Sequence, residues 1–325
     1  MSLEEELTKI RPHKDTLLSI GVFDGVHLGH EHLISHLSES ARKRDMLIGV
    51  LTFNRHPEEI LSPPGKLCYL ITLEQRRQLL QSLHPDFVVV LPFTRETAET
   101  TAREFIVLLQ KHLRMRGLVI GPNFTLGNNK AGNAATLQKM GQEMGFTIDV
   151  VPPLEIKGIM VSSTTIRLAL HDGNIKRVNM LLGRPFSLEG KIIPGVGQST
   201  IIGFPTANLD VASQQCLPAN GVYATLIQIN NKRYFSLTNI GGKATLGRVI
   251  SQASMEFKNV QFVETHILDF TGNLNGVNVK IQFLEHLREE LVFDNINDIR
   301  SQINDDIKQA KAIFENLPEY GQETK

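Results

Sequence analysis

Apolar and polar positions change rhythm once along the chain, near Leu182. Before that point, short apolar runs alternate with amphipathic stretches. Residues 17–20, 47–52, 87–91, 118–120 and 146–151 read as strands, and residues 31–43, 73–83, 102–114 and 134–144 read as helices. Strands this uniformly apolar, separated by helices, predict a parallel sheet covered on both faces. The expected fold is a doubly wound α/β domain, which binds ligands beyond the carboxyl ends of its strands.

Two short helices follow, at 163–170 and 175–182. After Gly183-Arg184-Pro185 the chain becomes strand-rich, with alternating runs at 186–193, 221–229, 233–240, 261–268 and 277–283. Asn230-Asn231 and Thr271-Gly272-Asn273 between them have turn chemistry. Short strands at this spacing predict a small antiparallel β-barrel. Ile299, Ile303, Ile307, Ala310 and Phe314 then fall on one face of a closing C-terminal helix. The expected domains are 1–182 and 183–325.

Composition narrows the class. A chain of 325 residues exceeds what one core usually serves, so two domains are expected on length alone. Formal net charge is zero, which argues against a nucleic-acid partner or a membrane surface. No apolar run approaches the roughly 20 residues of a membrane span. Residues 1–14 are charged, with no apolar signal core. Cys68 and Cys216 lack metal-ligand spacing and read as structural or incidental thiols. The expectation is a cytoplasmic protein acting on small molecules, with self-association left open.

The first candidate site is Gly21-Val22-Phe23-Asp24-Gly25-Val26-His27-Leu28-Gly29-His30, between a strand and a helix read to start at Glu31. Helix N-termini carry unpartnered N–H groups and a positive dipole end, which favour phosphate. Gly21 and Gly25 let backbone approach a ligand, and His27 and His30 add hydrogen-bond donors. In Val161-Ser162-Ser163-Thr164-Thr165-Ile166-Arg167, Ser163 or Thr164 is suited to cap the next helix or bind phosphate, and Arg167 offers a planar fork. In Gly203-Phe204-Pro205-Thr206-Ala207-Asn208, Thr206 and Asn208 can supply two oxygens to a hard cation.

These segments resemble a known family. The His-x-Gly-His core resembles the nucleotidyltransferase signature. The wider Gly-x-Phe-Asp-Gly-x-His-x-Gly-His is similar to that of the bacterial bifunctional riboflavin kinase/FAD synthetases. Thr52-Phe53-Asn54-Arg55-His56-Pro57, Gly121-Pro122-Asn123-Phe124-Thr125-Leu126-Gly127, the Ser162–Arg167 element, the Gly203–Asn208 element and Val263-Glu264-Thr265-His266-Ile267-Leu268-Asp269-Phe270 follow in the family's order. The resemblance implies adenylylation of FMN to FAD in the first domain, with ATP as co-substrate. Gly21, Phe23, Asp24, Gly25, His27, His30, Ser163, Thr164 and Arg167 would hold ATP, with His27, His30 and Arg167 acting in transfer. Asn123 and Phe124 would lie on the flavin side. In the barrel it implies phosphorylation of riboflavin to FMN, with Mg²⁺ at Thr206 and Asn208 and Glu264 as the base. Arg288 would approach the flavin or hold the terminal helix.

The chain departs from the family in two places. Gln198, Ser199 and Thr200 stand where it usually has arginine and glycine, and Ala244 stands where it usually has proline. Loss of a cation near the nucleotide phosphates motivates an alternative: an FMN adenylyltransferase whose barrel only binds flavin.

Overall fold

The structure, a computed structural model, describes residues 2–61, 67–195, 202–242, 261–293 and 295–316. Positions 198–200 and 244, which carry the two departures, lie outside the described residues. The chain divides into two compact units, Met1–Thr165 and Ile166–Lys325.

The first unit is built on β1 (Thr16–Ile20), β2 (Leu47–Phe53), β3 (Phe87–Leu91) and β4 (Met115–Ile120). A small hairpin, β5 (Thr125–Leu126) and β6 (Gly132–Asn133), precedes β7 (Thr147–Val150), and a second, β8 (Glu155–Ile156) and β9 (Ile159–Met160), follows it. The main sheet has the order β3-β2-β1-β4-β7 and is parallel throughout. Its helices are α1 (Leu3–Thr8), α2 (Leu28–Lys43), α3 (Pro57–Leu61), α4 (Leu73–Gln81), α5 (Arg95–Glu99), α6 (Ala102–Leu113) and α7 (Ala134–Met144). Every residue of β1 is buried, as expected of a central strand. Leu17 packs with Ile34 and Leu37 of α2 and Leu80 of α4, while Leu18 and Ile20 pack with Phe105 and Leu109 of α6. Successive side chains thus feed cores on opposite faces.

From β1 the chain moves outward to β2 and β3, then returns to β4 on the other side of β1. That reversal opens a crevice at the carboxyl ends of β1 and β4, where open α/β sheets bind ligands.

α1 is an element the sequence reading does not contain. Ser2 and Glu5 form a reciprocal capping box, and Leu3 and Leu7 are buried. The reading of Cys68 and Cys216 as structural or incidental thiols is corrected as well, since neither is a free cysteine.

The helices α8 (Ser163–His171) and α9 (Ile175–Leu182) lead into β10 (Phe186–Ile193), β11 (Ala207–Val211), β12 (Gly221–Ile229), β13 (Lys232–Gly242), β14 (Gln261–Ile267) and β15 (Asn278–Arg288). These six close into a barrel in the order β10-β11-β14-β13-β12-β15, with antiparallel neighbours. The Asn230-Asn231 turn has φ of 46° and 68°, the left-handed pair that a two-residue hairpin requires. β11 is the strand missing from the sequence reading, which treats its residues only as a motif. β15 also runs further than read, to Arg288, because it pairs with β12 up to Val222. α10 (Ile296–Glu315) lies against the barrel, with Phe314 stacked on Phe235 at 4.1 Å. Among the described residues, no helix is long and apolar enough to cross a membrane.

Candidate functional site

At the end of β1 the backbone turns sharply. Phe23, Gly25 and Val26 take φ of 51°, 86° and 36°. Only Gly25 adopts this region without steric cost. α2 then starts at Leu28, three residues earlier than the Glu31 read from sequence, because His27 is its N-cap. The His27 Nδ1 accepts a hydrogen bond from the His30 backbone N–H at 3.3 Å. In the neutral ring this places the proton on Nε2. The two imidazoles stack at 3.7 Å, and the Phe23 ring meets His30 edge-on at 5.1 Å.

Glycines make this packing possible. A Cβ on Gly21 would lie 3.2 Å from the Phe23 ring, and one on Gly29 would lie 3.1 Å from both the His27 ring and the Val161 carbonyl. Both histidines therefore belong to the first turn of α2, at the carboxyl end of the central strand.

Asp24 is buried and its side chain turns inward. The carboxylate accepts from the backbone N–H of Leu70 at 3.0 Å and of Ile71 at 3.4 Å. Ser163 donates its hydroxyl to the Asp24 carbonyl at 2.8 Å, which brings the start of α8 to the same loop. The cap of α8 is Ser162, whose Oγ accepts from the Thr165 N–H at 3.1 Å. The expectation that Ser163 or Thr164 caps this helix is corrected accordingly. Thr164 is exposed in the first turn, and Arg167 lies one turn along. Asn123 is exposed in the turn after β4, across the crevice from the histidine loop. Phe124 packs against the unit's core.

In the barrel, strand register assembles the second constellation. Asn208 on β11 lies opposite Glu264 on β14, and Glu264 lies opposite Asn239 on β13. Residues paired across antiparallel strands share a face, so Asn208, Asn239 and Glu264 point to one side, and Thr206 lies just before β11. A cavity between this face and α10 is bordered by Thr206, Asn239, Glu264 and Arg288, with Phe204 and Ile303 among its apolar walls. A second cavity, lined by residues 192–195 and 270–275, also reaches Thr206 and Asn208. Thr206 therefore borders both.

His266 shares the face of Glu264. Its Nδ1 lies 2.9 Å from the Pro205 carbonyl, and its ring meets Phe204 edge-on at 5.4 Å. This pins the Thr206 segment to the strand that carries Glu264. Arg288 grips Asp306 of α10 through three bonds of 2.8–3.1 Å, so it holds the terminal helix while bordering the first cavity. Asn239 is absent from the sequence reading, since only strand pairing reveals its position.

Among the described residues, no group of three or more His, Cys, Asp or Glu could hold a metal ion. A cation at Thr206 and Asn208 would depend on neutral oxygens and on substrate phosphates. That donor set fits a hard ion that retains water.

A parallel-sheet unit with a strand–turn–helix loop is followed by a closed antiparallel barrel, and the families that match these two parts in turn are those of a two-domain transferase. The chain matches the FAD synthetase family over residues 9–165 and the riboflavin kinase family over residues 182–314. It is 33% identical over 305 residues to the bifunctional riboflavin kinase/FMN adenylyltransferase of Escherichia coli strain K12, covering 93% of this chain and 94% of the relative. The Bacillus subtilis strain 168 protein of the same name is 30% identical over 304 residues, covering 93% of each. A solved structure described as a macrolide-efflux protein from Streptococcus pneumoniae matches with a TM-score of 0.83 at 28% identity, covering 94% of this chain and 97% of its own. The chain belongs to the bifunctional riboflavin kinase/FMN adenylyltransferase family. It is a transferase with both activities, and the presence of both family domains supports this reading over an adenylyltransferase alone.

Proposed function

We propose that the first domain, 1–182, adenylylates FMN with ATP, and that the second, 183–325, phosphorylates riboflavin with ATP. In the first reaction an FMN phosphate oxygen attacks the α-phosphorus of ATP, and the bond to the β-phosphate breaks to release pyrophosphate. The FMN phosphate is largely ionised at neutral pH, its second pKa being about 6, so no base is needed. The work is alignment of two anions and stabilisation of leaving-group charge. His27, His30, the first amides of α2, Gly21, Phe23 and Gly25 serve this at the β1 end. Ser163, Thr164 and Arg167 of α8 complete the ATP site, and Asn123 with Phe124 lies on the flavin side. Asp24 contributes by fixing the loop through Leu70 and Ile71.

In the barrel the nucleophile is a primary hydroxyl, so a proton must leave. Glu264 accepts it as the hydroxyl oxygen attacks the γ-phosphorus and ADP departs. Thr206 and Asn208 would hold Mg²⁺, which when bound offsets phosphate charge. Arg288 approaches the flavin from the cavity wall. The observation that carries this reading is the direct pairing of Asn208 with Glu264 across β11 and β14. Small-molecule substrates accord with the family, and a cytoplasmic location is part of this proposal.

The test is product analysis. Purified protein given riboflavin, ATP and Mg²⁺ should yield FMN and then FAD. If supplied FMN gives FAD but riboflavin gives neither product, the kinase assignment is lost. Asn208→Ala should raise the Mg²⁺ concentration needed for half-maximal FMN formation by about tenfold, which corresponds to about 1.4 kcal/mol of lost binding. Adenylylation of supplied FMN, titrated with Mg²⁺ in parallel, should not move.

A further inference from the structure

Arg76 of α4 is among the largest fully buried side chains, 2% exposed. Its Nη1 donates to the Val22 carbonyl and its Nη2 to the Phe53 carbonyl, each at 2.7 Å. Those carbonyls lie just beyond β1 and at the end of β2. Both strand ends lead into motif loops, one carrying His27 and His30, the other Asn54-Arg55-His56. The Val22 carbonyl also accepts the Thr52 hydroxyl at 3.0 Å. Two residues after Val22, the Asp24 carboxylate is held by the amides of Leu70 and Ile71, immediately before α4. Residues 70–76 thus grip the histidine loop from beneath at two points.

Burial pushes the Arg76 guanidinium below its ordinary pKa, and the charge of Asp24 opposes that shift. The Tyr69 hydroxyl is itself pushed up to about 12 by burial and by its hydrogen bond to Glu59. Arginine nevertheless stays charged in proteins. Its Nε has no hydrogen-bond partner, so the residue is costly where it sits. An apolar side chain in its place would avoid that cost but would leave the Val22 and Phe53 carbonyls without this donor. What an apolar side chain cannot do is tie two carbonyls together.

The loop above needs such a tie, because Phe23 and Val26 are held in the left-handed region at φ of 51° and 36°. For non-glycine residues this conformation persists only where the surroundings enforce it.

We infer that Arg76 is a positioning residue for adenylyl transfer: its fork fixes the strand ends so that the His27–His30 turn is preformed for the ATP phosphates. The inference rests on reading that turn as the ATP site. A preformed turn lowers the ordering that ATP must impose, so losing the fork should raise the KM for ATP as well as lower kcat.

Arg76→Met keeps the bulk and removes the fork, and Arg76→Lys keeps the charge but can reach only one carbonyl. FMN adenylylation and riboflavin phosphorylation are measured on each full-length chain, the second as an internal control. In Arg76→Met the KM for ATP in adenylylation should rise about tenfold or more, with Arg76→Lys in between and the kinase rate within about twofold of the parent. A merely structural residue would reduce the active fraction and leave the KM unchanged, and that result overturns the inference. If Arg76→Met does not fold, Arg76→Lys decides on the same criterion. Loss of the fold in both variants also overturns it, making Arg76 a folding residue. His30→Ala is run alongside. If His30→Ala keeps full adenylylation, the ATP-site reading itself fails; if it loses activity while the Arg76 variants keep their KM, only the Arg76 role fails.

Discussion

Glu264→Gln should stop FMN formation from riboflavin while FAD formation from supplied FMN continues. Glutamine keeps the size of the side chain and its place opposite Asn208 and Asn239, but it cannot accept a proton. General-base removal typically costs about 10²–10⁴ in rate, so kcat of the kinase reaction should fall in that range. Riboflavin binding should hold, because glutamine keeps the shape of this one position and the other cavity walls and the Arg288–Asp306 clamp are untouched. A fall in kcat with a small change in KM for riboflavin is therefore the signature to look for in steady-state assays. An equal loss in both reactions would mean that Glu264 supports the fold rather than the chemistry.

His30→Ala should produce the opposite pattern. It removes the half-buried ring that stacks on His27 and receives the edge of Phe23. No proton is taken from the nucleophile in adenylyl transfer, so the loss here is one of charge stabilisation and alignment. Removing one donor aimed at developing charge typically costs about 10²–10³ in rate. FMN should therefore accumulate from riboflavin with little FAD, as product separation over time would reveal. Because His27 caps α2 through the His30 backbone N–H, not its side chain, the helix should still start at Leu28. A circular-dichroism spectrum matching that of the parent would confirm that the lost activity is local.

Much of this was legible in the chain, and what was missed follows a pattern. β3 is a continuous apolar run and α6 carries Phe105, Ile106 and Leu109 on one face, so local periodicity sufficed. The Gly21–His30 segment also announced its strand–turn–helix context. β11 escaped because Ala207–Val211, although it alternates apolar and polar positions, is only five residues long and carries two poor strand formers, Asn208 and Asp210; partners on β10 and β14 make it a strand.

The site residues divide in the same way. Glu264 and Asn208 could be named separately, but their direct pairing is a matter of register between segments more than 50 residues apart in sequence. Asn239 and Arg76 had no local signal at all. An arginine in Glu74-Gln75-Arg76-Arg77 reads as a solvated helix face, and only packing shows that Arg77 pairs with Glu74 while Arg76 is buried. Asp24 could be named from its motif position, whereas the hydrogen bonds of its carboxylate to the backbone of Leu70 and Ile71 emerge only from packing.

The central claim is that two reactions are served by two separate sets of residues. Its most direct measurement is complementation in a mixture. Glu264→Gln and His30→Ala chains are incubated separately and together with riboflavin, ATP and Mg²⁺, and FMN and FAD are quantified over time. Glu264→Gln alone should give neither product, His30→Ala alone should give FMN only, and the mixture should give FAD. A mixture that yields no FAD, although each folded variant retains its one expected activity on supplied substrate, would show that FMN does not pass between chains. Loss of both activities in either folded variant would contradict the division of labour itself.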